Sequence, residues 1–195
     1  MEIAPGIDAS EWKRLDLASN ENKDWQRAIH IFRSRITGRY LEAADLLVEI
    51  DQKRLPRQRR FGFAVLAIDC LLVETLQAFI EGRTDTKNHS EEMFVNFLTS
   101  RQSFNADFKA TLARKFYKQF RCGILHQAET TGQALVRSVG PLLRLEGNKM
   151  TLNRNEFHSR LKKEFDQYLK DLALGRNEQL RSNLRTKMDF IVSFG

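Results

Sequence analysis

Residues 58–81 are apolar almost all the way round a helix. Phe61, Phe63, Val65, Leu66, Ile68, Leu71, Leu72, Val73, Leu76, Phe79 and Ile80 leave it no continuous polar face. Such a helix must sit at the centre of a fold, with other elements packed around it. Pro56 biases Leu55 away from helix, so the stretch LPRQRR (55–60) is a break and the helix begins beyond it. Gly82 follows the last apolar residue and is a natural stop, because glycine accepts the left-handed conformation there. Two acids, Asp69 and Glu74, are embedded in the helix; a buried carboxylate needs a partner. The longest uninterrupted run, residues 61–68, is too short to span a bilayer and Asp69 ends it.

Other stripes recur at helical spacing around this centre. After a weakly patterned lead-in, with one short helix expected near residues 11–18, the first strong stripe follows Asn20. It comprises Trp25, Ile29, Phe32, Ile36, Tyr40, Ala43, Leu47 and Ile50. This predicts one long helix, bent at Gly38, with Arg27, Arg33, Arg35, Arg39 and Glu42 on its outer face. Ser90 is expected to cap a short helix through Leu98, with Glu91 and Glu92 in its first turn. Phe157, Leu161, Phe165, Tyr168 and Leu172 mark a helix capped by Asn153, with Glu156 completing a capping box and Gly175 ending it. Leu180, Leu184, Met188 and Ile191 mark the last one.

The period changes once. LLRLEGNKMTLN (142–153) alternates about a Gly147-Asn148 turn, which reads as a hairpin pairing Leu145 with Met150 and Leu143 with Leu152. Residues 134–139 offer a third strand. The domain expectation is a lead-in at 1–21, a helical domain at 22–175 carrying the hairpin at about 134–153, and a C-terminal helix at 176–195.

The chain has 195 residues, with 32 Lys and Arg against 25 Asp and Glu, a net charge of +7. That balance permits a polyanionic partner without identifying one. Cys70 and Cys122 sit in apolar helical contexts and read as reduced thiols rather than a disulfide. Four scattered histidines with no CxxC or HExxH argue against zinc. The N-terminus lacks a basic-then-apolar signal, so a cytoplasmic location with no membrane association is expected.

Residues 105–129 are expected to form one basic helix with Phe108, Leu112, Phe116 and Phe120 facing inward, reached through a loop that leads to Asn105 or Asp107. It ends in Arg121-Cys122-Gly123-Ile124-Leu125-His126. At about 100° per residue, Arg121 and His126 point about 140° apart, whereas Cys122 and His126 share a face. The reach of Arg121, a distortion at Gly123, or a second subunit is needed to unite the pair. Structural alternatives stand beside a chemical role: Arg121 capping its own helix or pairing with Asp69 or Glu74, and His126 placed by the helix macrodipole. Cys122 activated by His126 is a further alternative.

RCGILH resembles the R-x4-6-H signature of the HEPN superfamily, and the order of a long apolar helix with an embedded acid before it is similar over roughly residues 22–172. The resemblance implies a mainly α fold: a HEPN-like up-and-down helical bundle with a small antiparallel β-hairpin insertion after the R-x4-H helix. It also implies a metal-independent endoribonuclease in a toxin or defence context, needing no cofactor. Arg121 and His126 would be catalytic, supported by Asp69, Glu74, Cys122 and Gln127, with Lys115 and Lys118 contacting RNA. The partners implied are RNA, a second copy forming a homodimer with a composite cleft, and a cognate antitoxin or defence protein. In that dimer Ile124 and Leu125 would supply dry contact and Asp69, Glu74 or Glu129 a counter-charge. The alternative is a non-catalytic HEPN-like scaffold binding RNA or protein. Two positions depart from the family pattern: Cys122 stands where many members carry a polar residue, and Ala128 where partner-modified toxins carry Tyr. On this reading Arg121→Ala should leave the fold intact.

Overall fold

A computed structural model describes residues 1–18 and 22–194; Asn20, read above as preceding the first long helix, lies outside them. Among the described residues the protein is mainly helical with two small sheets. The apolar stretch forms α4 (Gly62–Glu81), and the other helices pack around it as expected for a helix with no polar face. By length and composition α4 is long and apolar enough to cross a membrane, contrary to the expectation from the 61–68 run alone. Its burial among neighbouring helices accounts for that composition.

The N-terminal segment is not the weakly structured lead-in anticipated. β1 (Glu2–Ala4) and β2 (Ile7–Asp8) pair antiparallel, and α1 (Ala9–Lys13) follows, capped by Asp8 rather than starting near residue 11. Ile3 and Trp12 are buried in the common core, and the Trp12 indole donates to Asp189 Oδ1 at 2.7 Å. The Pro5 ring lies against Gly38; a Cβ there would come within 2.5 Å of Pro5 Cγ. Gly38 is required for this close approach.

α2 (Asn22–Ile36) and α3 (Glu42–Gln52) form one run joined by a wide π-helical turn at Thr37–Leu41. The extra residue in that turn rotates everything after it. The expected inward positions Tyr40, Ala43 and Ile50 give way to Leu41, Ala44 and Asp51, each one residue later. Ile50 is therefore 42% exposed and Asp51 only 1%.

α5 (Ser90–Ser100) begins at Ser90 itself, so Ser90 does not cap it; no side-chain cap bond is made at His89. Tight turns over residues 101–107 bury Phe104, and α6 starts only at Ala110, later than the expected 105. α6 (Ala110–Phe116) runs through a second π-helical turn, Tyr117–Cys122, into α7 (Gly123–Gln127). Phe116 stacks on Phe94, Phe120 and Phe157 and meets Phe108 edge-on, which locks this helix to α5 and α8.

β3 (Ala134–Arg137), β4 (Leu143–Glu146) and β5 (Lys149–Asn153) form a sheet in the order β3-β5-β4. β4 and β5 pair in the expected register, with Leu143 opposite Leu152 and Leu145 opposite Met150. The third strand joins β5 parallel, so the sheet is mixed and not a hairpin alone. Asn153 caps α8 (Arg154–Leu174), accepting from the amides of Asn155 and Glu156. Glu156 does not complete a capping box; its carboxylate accepts from Arg160 instead. Gly175, with φ +63°, ends α8 and leads to α9 (Glu178–Val192).

Candidate functional site

Arg121 lies in the π-helical turn and His126 in the last turn of the same run. Residues five apart face the same side where the hydrogen bonding widens to i→i+5. Arg121 Nη1 accordingly lies 3.5 Å from His126 Nε2 within one chain. This corrects the expectation that the pair diverges, and it removes the geometric need for a second copy. The distortion is at Tyr117–Cys122 and not at Gly123. Gly123 serves another purpose: a Cβ there would meet the Glu129 carbonyl at 2.5 Å. Ala128 adopts φ +55°, turning the chain back across Gly123 so that Thr131 N–H bonds the Gln119 carbonyl. His126 is left exposed at the resulting edge.

Glu74 on α4 holds the guanidinium from the other side. Its carboxylate accepts from Arg121 Nε at 2.6 Å and from Nη2 at 3.2 Å, a forked pair. The Tyr117 ring lies under the guanidinium, 5.3 Å from its centroid. Burial opposes the charge on Arg121, yet the Glu74 hydrogen bond and charge outweigh it and hold the pKa above the ordinary arginine value. Burial also pushes the Tyr117 phenol up to about 12, so it stays protonated. Tyr117 had no role in the sequence reading. Its spacing of four from Arg121 was the available signal.

The other expected site residues divide. Cys122 is half-buried and free, and Gln127 and Lys118 are exposed. Lys115 donates to the Asn148 carbonyl at 3.0 Å and so braces the β4–β5 turn. Ile124 is buried in the protein's own core, which corrects its assignment to a dimer contact. Asp69 does not join Arg121. It is fully buried and bonds His158 Nδ1 at 2.7 Å, while His158 Nε2 bonds Asp45 at 3.1 Å and Lys162 covers Asp45. Among the described residues no group of three or more His, Cys, Asp or Glu side chains converges to hold a metal ion.

No family model matches the chain, and no curated protein or solved structure matches it.

The Asp69–His158–Asp45 row has a consequence for pH. Burial opposes charge on His158, but the bonds and charges of Asp69 and Asp45 outweigh it and raise its pKa above the ordinary imidazole value. Burial raises the Asp69 carboxyl as well, against the opposing pull of His158. Both groups bind their protons more tightly in the folded state, so folding stability falls as pH rises. The His158 contribution is complete below its unfolded value of 6.5 and is lost as pH climbs through the higher folded value. Urea midpoints of the wild type should therefore decline relative to those of His158→Gln as pH rises above 6.5. A constant difference between the two curves would contradict the assignment.

Proposed function

We propose that the chain is a HEPN-like, metal-independent endoribonuclease of toxin or defence type, with Arg121 and His126 as its working pair. One observation supports the reading above the others. An anchored guanidinium and an exposed imidazole lie 3.5 Å apart at a surface edge, with the guanidinium's outer nitrogen toward the imidazole. Imidazole exchanges protons in the physiological range and suits a general base or acid.

In this reading His126 takes the proton of a ribose 2′-OH. The oxygen attacks the neighbouring phosphorus, the P–O5′ bond breaks, the leaving oxygen takes a proton from water, and the protonated His126 returns its own proton to that water. The products are a 2′,3′-cyclic phosphate and a 5′-hydroxyl. Arg121 Nη1 stabilises the charge that develops on the phosphate, while Glu74 fixes the fork so that little reorganisation is needed. The requirement for a 2′-OH makes DNA inert. A homodimer and a cognate antitoxin or defence partner belong to the reading through the resemblance alone.

The second reading is a non-catalytic scaffold. The observation in its favour is that Glu74 occupies two of the guanidinium's donors. Purified protein incubated with mixed RNA in EDTA separates the two. The nuclease reading expects cleavage that falls by about two to four orders of magnitude in His126→Ala, and intact DNA of the same sequence. RNA bound without cleavage supports the scaffold. Cleavage unchanged in His126→Ala overturns the assignment of the pair.

A further inference from the structure

A cavity of about 420 Å³ opens between the start of α4, the end of β3 and the first residue of α8, and it shares no residue with the Arg121–His126 edge. Its size is in the range of small-ligand sites. Four arginines line it: Arg59, Arg60, Arg137 and Arg154. Arg154 is 2% exposed. Its Nη2 bonds Asp51 at 2.6 Å, and its Nη1 has no hydrogen-bond partner among the described residues. Arg59 gives Nη1 to Ser138 Oγ at 2.5 Å, while its Nε is buried without a partner. Among the described residues no carboxylate pairs with Arg59, Arg60 or Arg137.

This is an unusual concentration of like charge around one depression. Asp51 offsets only one of the four charges, and its oxygens also accept from the Arg60 and Phe61 amides and from Arg54. Burial pushes the pKa of Arg154 below its ordinary value; Asp51 opposes this and the charge of Arg59 adds to it. An anion in the cavity would relieve the repulsion and fill the open donors. The 20-residue helix α4 begins in the same wall at Gly62, where first-turn amides and the helix dipole favour negative charge. Phe63 and Val136 add an apolar surface beside the arginines. That suits a ligand with a compact anionic end and a flat, less polar body.

We infer that this cavity binds the terminal phosphate of a nucleotide, with the guanidinium groups of Arg60, Arg137 and Arg154 on the phosphate, Arg59 adding its charge behind them, and the base against Phe63 and Val136. The site does not depend on the nuclease reading.

Calorimetric titration of the full chain with AMP, inorganic phosphate and adenosine tests it. AMP should bind, phosphate more weakly, and adenosine not measurably at the same concentration. Affinity for AMP should fall steeply with added salt. Arg137→Gln and Arg60→Gln, both on exposed residues, should each weaken AMP by about tenfold, the loss expected for one charge-assisted contact. Arg154→Lys keeps the charge toward Asp51 but loses the fork, and should weaken AMP by at least as much. His126→Ala should leave AMP binding unchanged, so that failure here and failure of the nuclease reading are distinguishable. Measured in His126→Ala, a short oligoribonucleotide identifies the source: a 5′-phosphate form that binds tighter than both AMP and its own 5′-hydroxyl form assigns the site to RNA ends, and any other order assigns it to free nucleotides. Adenosine binding as well as AMP overturns the proposal. So does an AMP affinity indifferent to Arg137→Gln and Arg60→Gln, or the absence of AMP and phosphate binding at millimolar concentration.

Discussion

Asp51→Ala should lower stability by about 4–6 kcal/mol, the largest effect of any single substitution considered. Two mechanisms add. The carboxylate accepts from the amides of Arg60 (3.1 Å) and Phe61 (2.9 Å), which form the entry to α4 and have the role of cap-bonded donors. Losing such bonds costs about 1–2 kcal/mol. The same carboxylate pairs with Arg154 at 2.6 Å, where the side chains are 1% and 3% exposed. Removing one member of a buried pair leaves an uncompensated charge and costs about 3–5 kcal/mol. Against a total stability of about 5–15 kcal/mol, this brings the variant close to unfolding. For a chain of this length the melting temperature should drop by about 10 °C or more. Asp51→Leu combined with Arg154→Met should recover part of the loss, because it removes both charges while leaving the two amides unpaired. Urea denaturation of the three proteins gives the comparison. An Asp51→Ala variant within about 1 kcal/mol of wild type would show that the pair does not hold α3, α4 and α8 together.

Arg121→Ala should cost about 3 kcal/mol, which reverses the expectation that it leaves the fold unaffected. The reason is Glu74. Its side chain is 11% exposed and its carboxylate depends on the Arg121 fork. Without Arg121 the carboxylate is left unpaired against the core, and the Tyr117 ring loses the guanidinium above it. Arg121→Ala with Glu74→Gln should regain most of the stability, since a neutral amide is cheaper to bury than a lone carboxylate. RNA cleavage should stay absent in that double variant if Arg121 contacts the phosphate. This separation is the useful result: a stable protein without activity assigns chemistry to Arg121, whereas activity regained along with stability makes Arg121 structural. Arg121→Lys should be intermediate in stability because an ammonium cannot form the fork.

Much of the architecture was legible in residue spacing. The helical stripes of 58–81, 157–172 and 180–191, the stop at Gly82, the cap at Asn153 and the β4–β5 register follow from local periodicity and turn chemistry, which act over a few residues. The functional clusters were less legible. Glu74 was named because an acid in an apolar helix needs a partner, and it has one in Arg121. Asp69 is an alternative partner for Arg121 by the same logic, but it bonds His158, 89 residues away. Nothing local distinguishes the two acids. They sit five apart on α4 and face different neighbours, so each partner is chosen by the helix packed on that side. Asp51, Arg154 and His158 carry no local signal, because charged residues near helix ends are normally solvated.

The two π-helical turns mark the boundary between the levels. Periodicity at about 3.6 residues per turn placed Ile50 inside and Asp51 outside, and it pointed Arg121 and His126 apart. One widened turn at Thr37–Leu41 carries Asp51 inward to Arg154, and another at Tyr117–Cys122 brings Arg121 to His126. A widened turn gains little from local sequence preference. It persists because packing on both sides repays the poorer hydrogen-bond geometry: Pro5 against Gly38 at the first turn, and the Phe116 and Phe120 stack with the returning chain over Gly123 at the second. The sequence by itself determined most of the helical segments, which helix is central and which residues carry charge. Only the tertiary structure decided how those helices are rotated, and hence which charges meet, because a single inserted residue turns a face by about 100° at no cost visible in the local pattern.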